Sequence, residues 1–145
     1  MPISETYLDL AVGPYALAVA ARSVALVRQD VRITPLIEVR GCPTPLCDLA
    51  ALFGLGQRLE APFVIAIEGD GRLASVGVDR VGHLRRRDAP TLRHLPAIGL
   101  NAPFLFAGAL LYDDRLLLVV DPAALVALMH ERLQTKFDPN QTPAV

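Results

Sequence analysis

"FVIAIEGDGRLASVGV", residues 63–78, is built to fold back on itself at Asp70-Gly71. A two-residue hairpin turn of type I′ needs positive φ at both central positions, and Asp-Gly is among the pairs that supply it most readily. The flanking runs "FVIAIE" (63–68) and "RLASVGV" (72–78) therefore read as paired strands. The construction recurs. "YLDLAV" (7–12) and "YALAV" (15–19) meet at a tight Gly13-Pro14 turn, with Leu8, Leu10 and Val12 on one face and Tyr15, Leu17 and Val19 on one face of the next strand. "FLFAGALLY" (104–112) and "RLLLVV" (115–120) flank Asp113-Asp114 in the same way. Period-two patterning in three hairpins makes the chain mainly β.

Two helices punctuate the strands. Asp48 is placed to N-cap "LAALF", which Gly54 stops. Asp121 is placed to cap a longer helix whose first position is Pro122, where the missing N–H costs nothing. In that helix Leu125, Leu128, Met129 and Leu133 fall near one stripe, so it packs against something. The two sites echo each other. "PLCDLAALFGL" (45–55) and "LVVDPAALVAL" (118–128) both run strand end, Asp, Ala-Ala-Leu, and lie 73 positions apart, half the chain. A duplication would give two similar subdomains, two small barrels of about half the chain each. Residues 1–5 read as a tail, 6–133 as the folded domain, and 134–145, which lose periodicity and carry two prolines, as a loose end.

At 145 residues the chain fits one ordinary domain, or two very small ones sharing a core. It is 52% hydrophobic, which leaves room for dense packing or for apolar surface given to a partner. Fourteen basic residues, thirteen of them Arg, stand against fifteen acidic ones. Global charge thus points neither to nucleic acid nor to an anionic membrane. Apolar runs such as "APFLFAGALLY" are too short for a membrane span. The N-terminus has Glu5 but no basic residue, and Asp9 and Pro14 interrupt its apolar part, unlike a signal peptide. The expected location is cytoplasmic.

Residues with chemical potential are few. In "RGCPTPLC" an extended chain would separate Cys42 and Cys47 by roughly 16 Å, too far for a disulfide, and no second pair completes a zinc shell. Both read as small apolar fillers. His83, His94 and His130 are scattered, and no nucleophile elbow, P-loop or dinucleotide fingerprint is present. Catalysis has no visible carrier, and no cofactor or metal is expected. The one basic cluster, "HLRRRDAPTLRH" (83–94), puts Arg85 and Arg87 on one strand face and Arg86 on the other. It reads as a solvated face or an edge-strand guard, with an acidic protein or nucleic acid as alternatives.

The order of these pieces resembles the CheW-like domain, the adaptor of bacterial chemosensory arrays, over about residues 6–130. The similarity is carried by the opening hairpin "YLDLAVGPYALAV", by "VRG" (39–41) leading into "PTPLCDLAALFGL", by "VGVDRVGHLRR" (76–86) with Asp79 and Val81 in register, and by "GALLYDDRLLLVVDPAALV". The resemblance implies two intertwined SH3-like, five-stranded barrels and no catalysis. It further implies that the chain couples a chemoreceptor's cytoplasmic tip to a CheA-type histidine kinase or another CheW-like protein, without nucleic acid or membrane insertion. Receptor binding in the family uses an apolar groove near the Arg of the "RG" pair, here Arg40, with Gly41, Val39, Ile37 and Leu26 as its neighbours. A guanidinium suits that task because it can fork onto a carboxylate while its stem covers apolar surface. One departure matters. "VRQDVRITPLIEVRG" reaches Arg40 thirteen positions after Val27, a shortened stretch, with Pro35 near the family's glycine and Glu38 for its Asn. Leu26 also stands where the family often has Glu. These changes touch the part that meets the kinase, so the expectation is a shortened adaptor that keeps receptor binding and weakens kinase contact. The alternatives are an ordinary adaptor and, in another class, a small ligand-binding barrel or an enzyme using Cys42 or Cys47. A fast thiolate near neutral pH would favour the last.

Overall fold

The computed structural model describes residues 4–88, 106–112 and 115–136. In chain order they form β1 (Ser4–Val12), β2 (Tyr15–Ala20), a single 3-10 turn (Ala21–Ser23), β3 (Val24–Arg32), β4 (Leu36–Val39) and β5 (Cys42–Asp48). There follow α1 (Leu49–Leu52), β6 (Glu60–Gly69), β7 (Arg72–Val78), β8 (Arg80–Asp88), β9 (Phe106–Tyr112), β10 (Arg115–Val120) and α2 (Pro122–Lys136). The strands make two five-stranded sheets, ordered β8-β1-β2-β10-β9 and β3-β6-β7-β5-β4. The chain is mainly β, as its period-two patterning requires.

The turn chemistry acts as expected. Asp70 and Gly71 both hold positive φ, 52° and 76°, the type I′ geometry that joins β6 to β7. Gly13, at φ 53°, turns β1 into β2. The strands on either side of Asp113-Asp114 pair antiparallel, while those two turn residues, like Phe104, Leu105, His94 and the segment after Lys136, lie outside the described residues. Asp48 caps α1 by accepting from the Ala50 N–H at 3.2 Å. Gly54, at φ 76°, ends it: the Gly54 N–H reaches the Ala51 carbonyl and the Leu55 N–H the Ala50 carbonyl, a Schellman closure. Asp121 caps α2 through the Ala124 N–H at 3.1 Å. That helix runs through Lys136, three residues past the point where periodicity fades in the sequence.

The two sheets match position for position. In each, a hairpin (β1–β2 or β6–β7) lies between an antiparallel edge strand (β8 or β3) and a second hairpin (β9–β10 or β4–β5), which joins it by a parallel contact. A helix follows the parallel strand in both cases, α2 after β10 and α1 after β5. The Ala-Ala-Leu echo therefore falls at equivalent places in two similar subdomains. They are not consecutive halves, however. One sheet is β3 to β7 without interruption, and the other joins the two ends of the chain.

The sheets share a core. Leu8, Leu10, Val12, Leu17 and Val19 from the first sheet meet Ile65, Ile67, Val76 and Val78 from the second, with Phe53 of the α1 end and Leu125, Val126 and Met129 of α2 between them. Each sheet also buries a smaller cluster, Tyr7, Ala18 and Leu117 in one and Leu46, Ala61 and Val64 in the other. Strands such as β6 are thus buried on both faces, with Val64, Ile65, Ala66 and Ile67 all inside, which accounts for a large share of the apolar surplus. Although α2 follows a strand of the first sheet, it packs on β5, β6 and β7 of the second. This exchange ties the subdomains together. Gly69 makes the exchange possible, since a Cβ there would meet the Pro122 carbonyl oxygen at 2.6 Å. Further along the helix, His130 bonds to the Leu73 carbonyl of β7 at 2.8 Å. Among the described residues no helix is long and apolar enough to cross a membrane.

Candidate partner-binding site

The β4–β5 hairpin carries four of the five residues singled out in the sequence. Arg40 and Gly41 form its turn, both at positive φ, 51° and 79°. Glycine takes that conformation freely, whereas arginine there is uncommon and needs the two-residue turn to hold it. The strained turn lifts the Arg40 side chain out of the hairpin, exposed, and its Nη2 donates to the Ala25 carbonyl of β3 at 3.2 Å. That carbonyl is available because the β3–β6 register shifts between Val24 and Leu26, leaving Ala25 as the extra residue of a bulge. β3 and β4 are the two edges of their sheet, so this exposed contact bridges one edge to the other.

Leu26 therefore sits beside the residue that Arg40 grips. It is half-buried, and Val27 next to it is 41% exposed. Ile37 is half-buried against Leu46, Ala61 and Val64. The structure thus brings Arg40, Gly41 and Leu26 together at one rim, with Ile37 further along the hairpin. Val39 differs from them: at 1% exposure it lies inside, under the turn, and supports Arg40 without offering surface of its own.

β5 runs unbroken from Cys42 to Asp48, and both cysteines are free. Cys47 is half-buried and packs on the shared core, and burial pushes its thiol up, against the pull of Arg132. The filler reading therefore suits Cys47. It does not suit Cys42, which is exposed at the strand's start because the hairpin turn precedes it. His83 is exposed on β8, an edge strand in which Arg85 pairs with Asp9 at 3.1 Å.

A second arrangement was invisible in the sequence. Arg58, in the link between α1 and β6, forks onto Asp48 with Nε at 2.7 Å and Nη2 at 3.0 Å, while its Nη1 donates to Asp79. Asp79 in turn accepts the Gly13 N–H at 2.6 Å, and its own N–H donates to the Ala11 carbonyl. One guanidinium thus connects the cap of α1 to the β1–β2 turn of the other sheet. The Asp48 side chain is 3% exposed and would be costly without its partner. The Asp48 hydrogen bond, outweighing partial burial, pushes Arg58 further up. Burial works against the Asp79 charge, but the Gly13 N–H and Arg58 prevail and hold its carboxyl below the usual range. No spacing rule predicts this trio. Asp48 was legible only as a cap, and Arg58 carried no local signal.

Comparison with known proteins agrees with this architecture. A search of curated proteins finds no match. The crystal structure of the scaffolding protein TtCheW from Thermoanaerobacter tengcongensis superposes with a TM-score of 0.69 at 22% identity, covering 83% of this chain and 86% of that one. The CheW-like domain matches residues 19–129, from the end of β2 to the body of α2, and the chain therefore belongs to the CheW-like domain family.

Proposed function

We propose that this chain is a non-catalytic, cytoplasmic adaptor of a chemosensory array, which binds the signalling tip of a chemoreceptor through the rim around Arg40. Membership of the family carries the adaptor role, and the TtCheW neighbour is itself a scaffolding protein. The position of Arg40 carries the site. Its guanidinium is exposed and held on the carbonyl of Ala25, the residue before the half-buried Leu26, a combination suited to an amphipathic helix that offers a carboxylate next to an apolar side chain. Gly41 permits the turn, Ile37 continues the apolar surface and Val39 holds the turn from beneath.

The kinase arm of the reading rests on the shortened stretch. Only residues 33–35 join β3 to β4, and the link is braced by the Leu46 N–H on the Pro35 carbonyl and by the Thr34 hydroxyl on the Leu36 carbonyl. A segment this short leaves little surface for a second partner, so contact with a CheA-type kinase is weakened. Arg40→Glu tests the receptor site. The variant should fold, because Arg40 is exposed, yet lose about tenfold or more in affinity for a receptor tip. Unchanged affinity would remove Arg40 from the site.

A further inference from the structure

At the opposite end of the β4–β5 hairpin from Arg40 lies a recess of about 140 Å³, bounded by Pro35, Pro45 and Cys47 on one side and by Met129, Arg132 and Leu133 of α2 on the other. We propose that this recess is a second docking site, taking a segment of a partner protein in which a bulky apolar side chain stands next to a carboxylate. Its volume suits one side chain of leucine or phenylalanine size. Its lining is apolar apart from Arg132, and no carboxylate contributes to it.

Charge selects the occupant. Arg132 is exposed, and among the described residues no carboxylate pairs with it; what sets it apart from the other arginines without an acid partner is its place in the lining of the apolar recess. An arginine beside an empty apolar recess is arranged as one half of a charge-assisted pair whose other half comes from outside. The apolar surface continues outward through Leu36, 39% exposed and the register partner of Pro45 on the edge strand β4. A segment lying along that edge would cover Leu36, seat one side chain in the recess and reach Arg132. This site does not depend on the Arg40 reading and would stand if that reading failed.

Cys47, at the recess, supplies a reporter. In a Cys42→Ser background it is the sole thiol. The probe is a synthetic helical peptide with a leucine stripe flanked by glutamates, compared with twins carrying lysines for the glutamates or alanines for the leucines. The expected result is that the glutamate peptide alone shifts the amide resonances of Cys47, Met129 and Leu133 and slows maleimide labelling of Cys47. Arg132→Glu should reduce that affinity by about tenfold or more and transfer preference to the lysine twin. Leu133→Asp, a change at a half-buried helix position, should abolish binding with the fold retained. Three results would overturn the proposal: equal response to glutamate and lysine peptides, no response at those amides, or full affinity in Arg132→Glu. If the same amides moved with protein concentration alone, a second copy would be the occupant and the proposal would equally fail.

Discussion

Asp48 shows how much one side chain can be asked to do. It accepts the Ala50 N–H as a helix cap and both ends of the Arg58 fork, while almost wholly buried. Removing Arg58 strands that charge, so Arg58→Ala should cost about 2–3 kcal/mol in chemical denaturation, less than a fully buried pair because Arg58 is partly open to water. Arg58→Lys should recover only part of the loss, since a single ammonium cannot fork. Asp79 adds a pH dependence. Its carboxyl is held below its unfolded value, so its contribution is complete above the ordinary carboxylate range and is lost as pH falls through the lowered folded value. Unfolding midpoints measured between neutral and strongly acid pH should therefore drop below about pH 4, and Asp79→Asn should flatten that limb. An unchanged limb would mean that other carboxylates govern acid unfolding. The trio escaped sequence reading for a plain reason: its members are brought together by the fold, from three separate segments with the Gly13 N–H supplied by a fourth, and nothing in their spacing records it.

Elements were legible wherever a local rule decides them. The Asp70-Gly71 turn, the caps Asp48 and Asp121, and the Gly54 stop each follow from conformational preferences that act within a few residues, and each is present. What local rules do not give is which elements touch. The stripe on α2 announced a packed helix, yet not that it would cross to the other sheet, nor that Val126 would be among its most buried residues. The crossing depends on Gly69, where backbone meets backbone. Gly69→Ala should lower stability by about 1–3 kcal/mol, because a backbone carbonyl cannot step aside as a side chain can. A thermal melt at constant ligand-free conditions would register it, and an unchanged melting temperature would show that α2 shifts at no cost. Of the basic cluster, residues 83–88 lie on the edge strand β8, where Arg85 answers Asp9 within the same sheet, and the rest of the run lies outside the described residues.

At the scale of the molecule, the design is two equivalent sheets sharing one core, each completed by pieces distant in sequence. The half-chain echo hinted at the equivalence because Asp followed by Ala-Ala-Leu satisfies the same need, capping a helix directly after a parallel strand, in both places. The resemblance to CheW-like domains supplied the intertwining that patterning alone could not. Membership of that family directs the functional account to protein–protein contact, and the exposed Arg40 at a braced hairpin tip is the place we propose for it. Binding of the purified protein to a chemoreceptor cytoplasmic tip and, in parallel, to the regulatory domain of a CheA-type kinase tests this account most directly. The account predicts saturable binding to the receptor tip, lost in Arg40→Glu, with little or no binding to the kinase domain. Equal binding to both would make the short β3–β4 link incidental, and failure to bind the receptor tip would contradict the adaptor function itself.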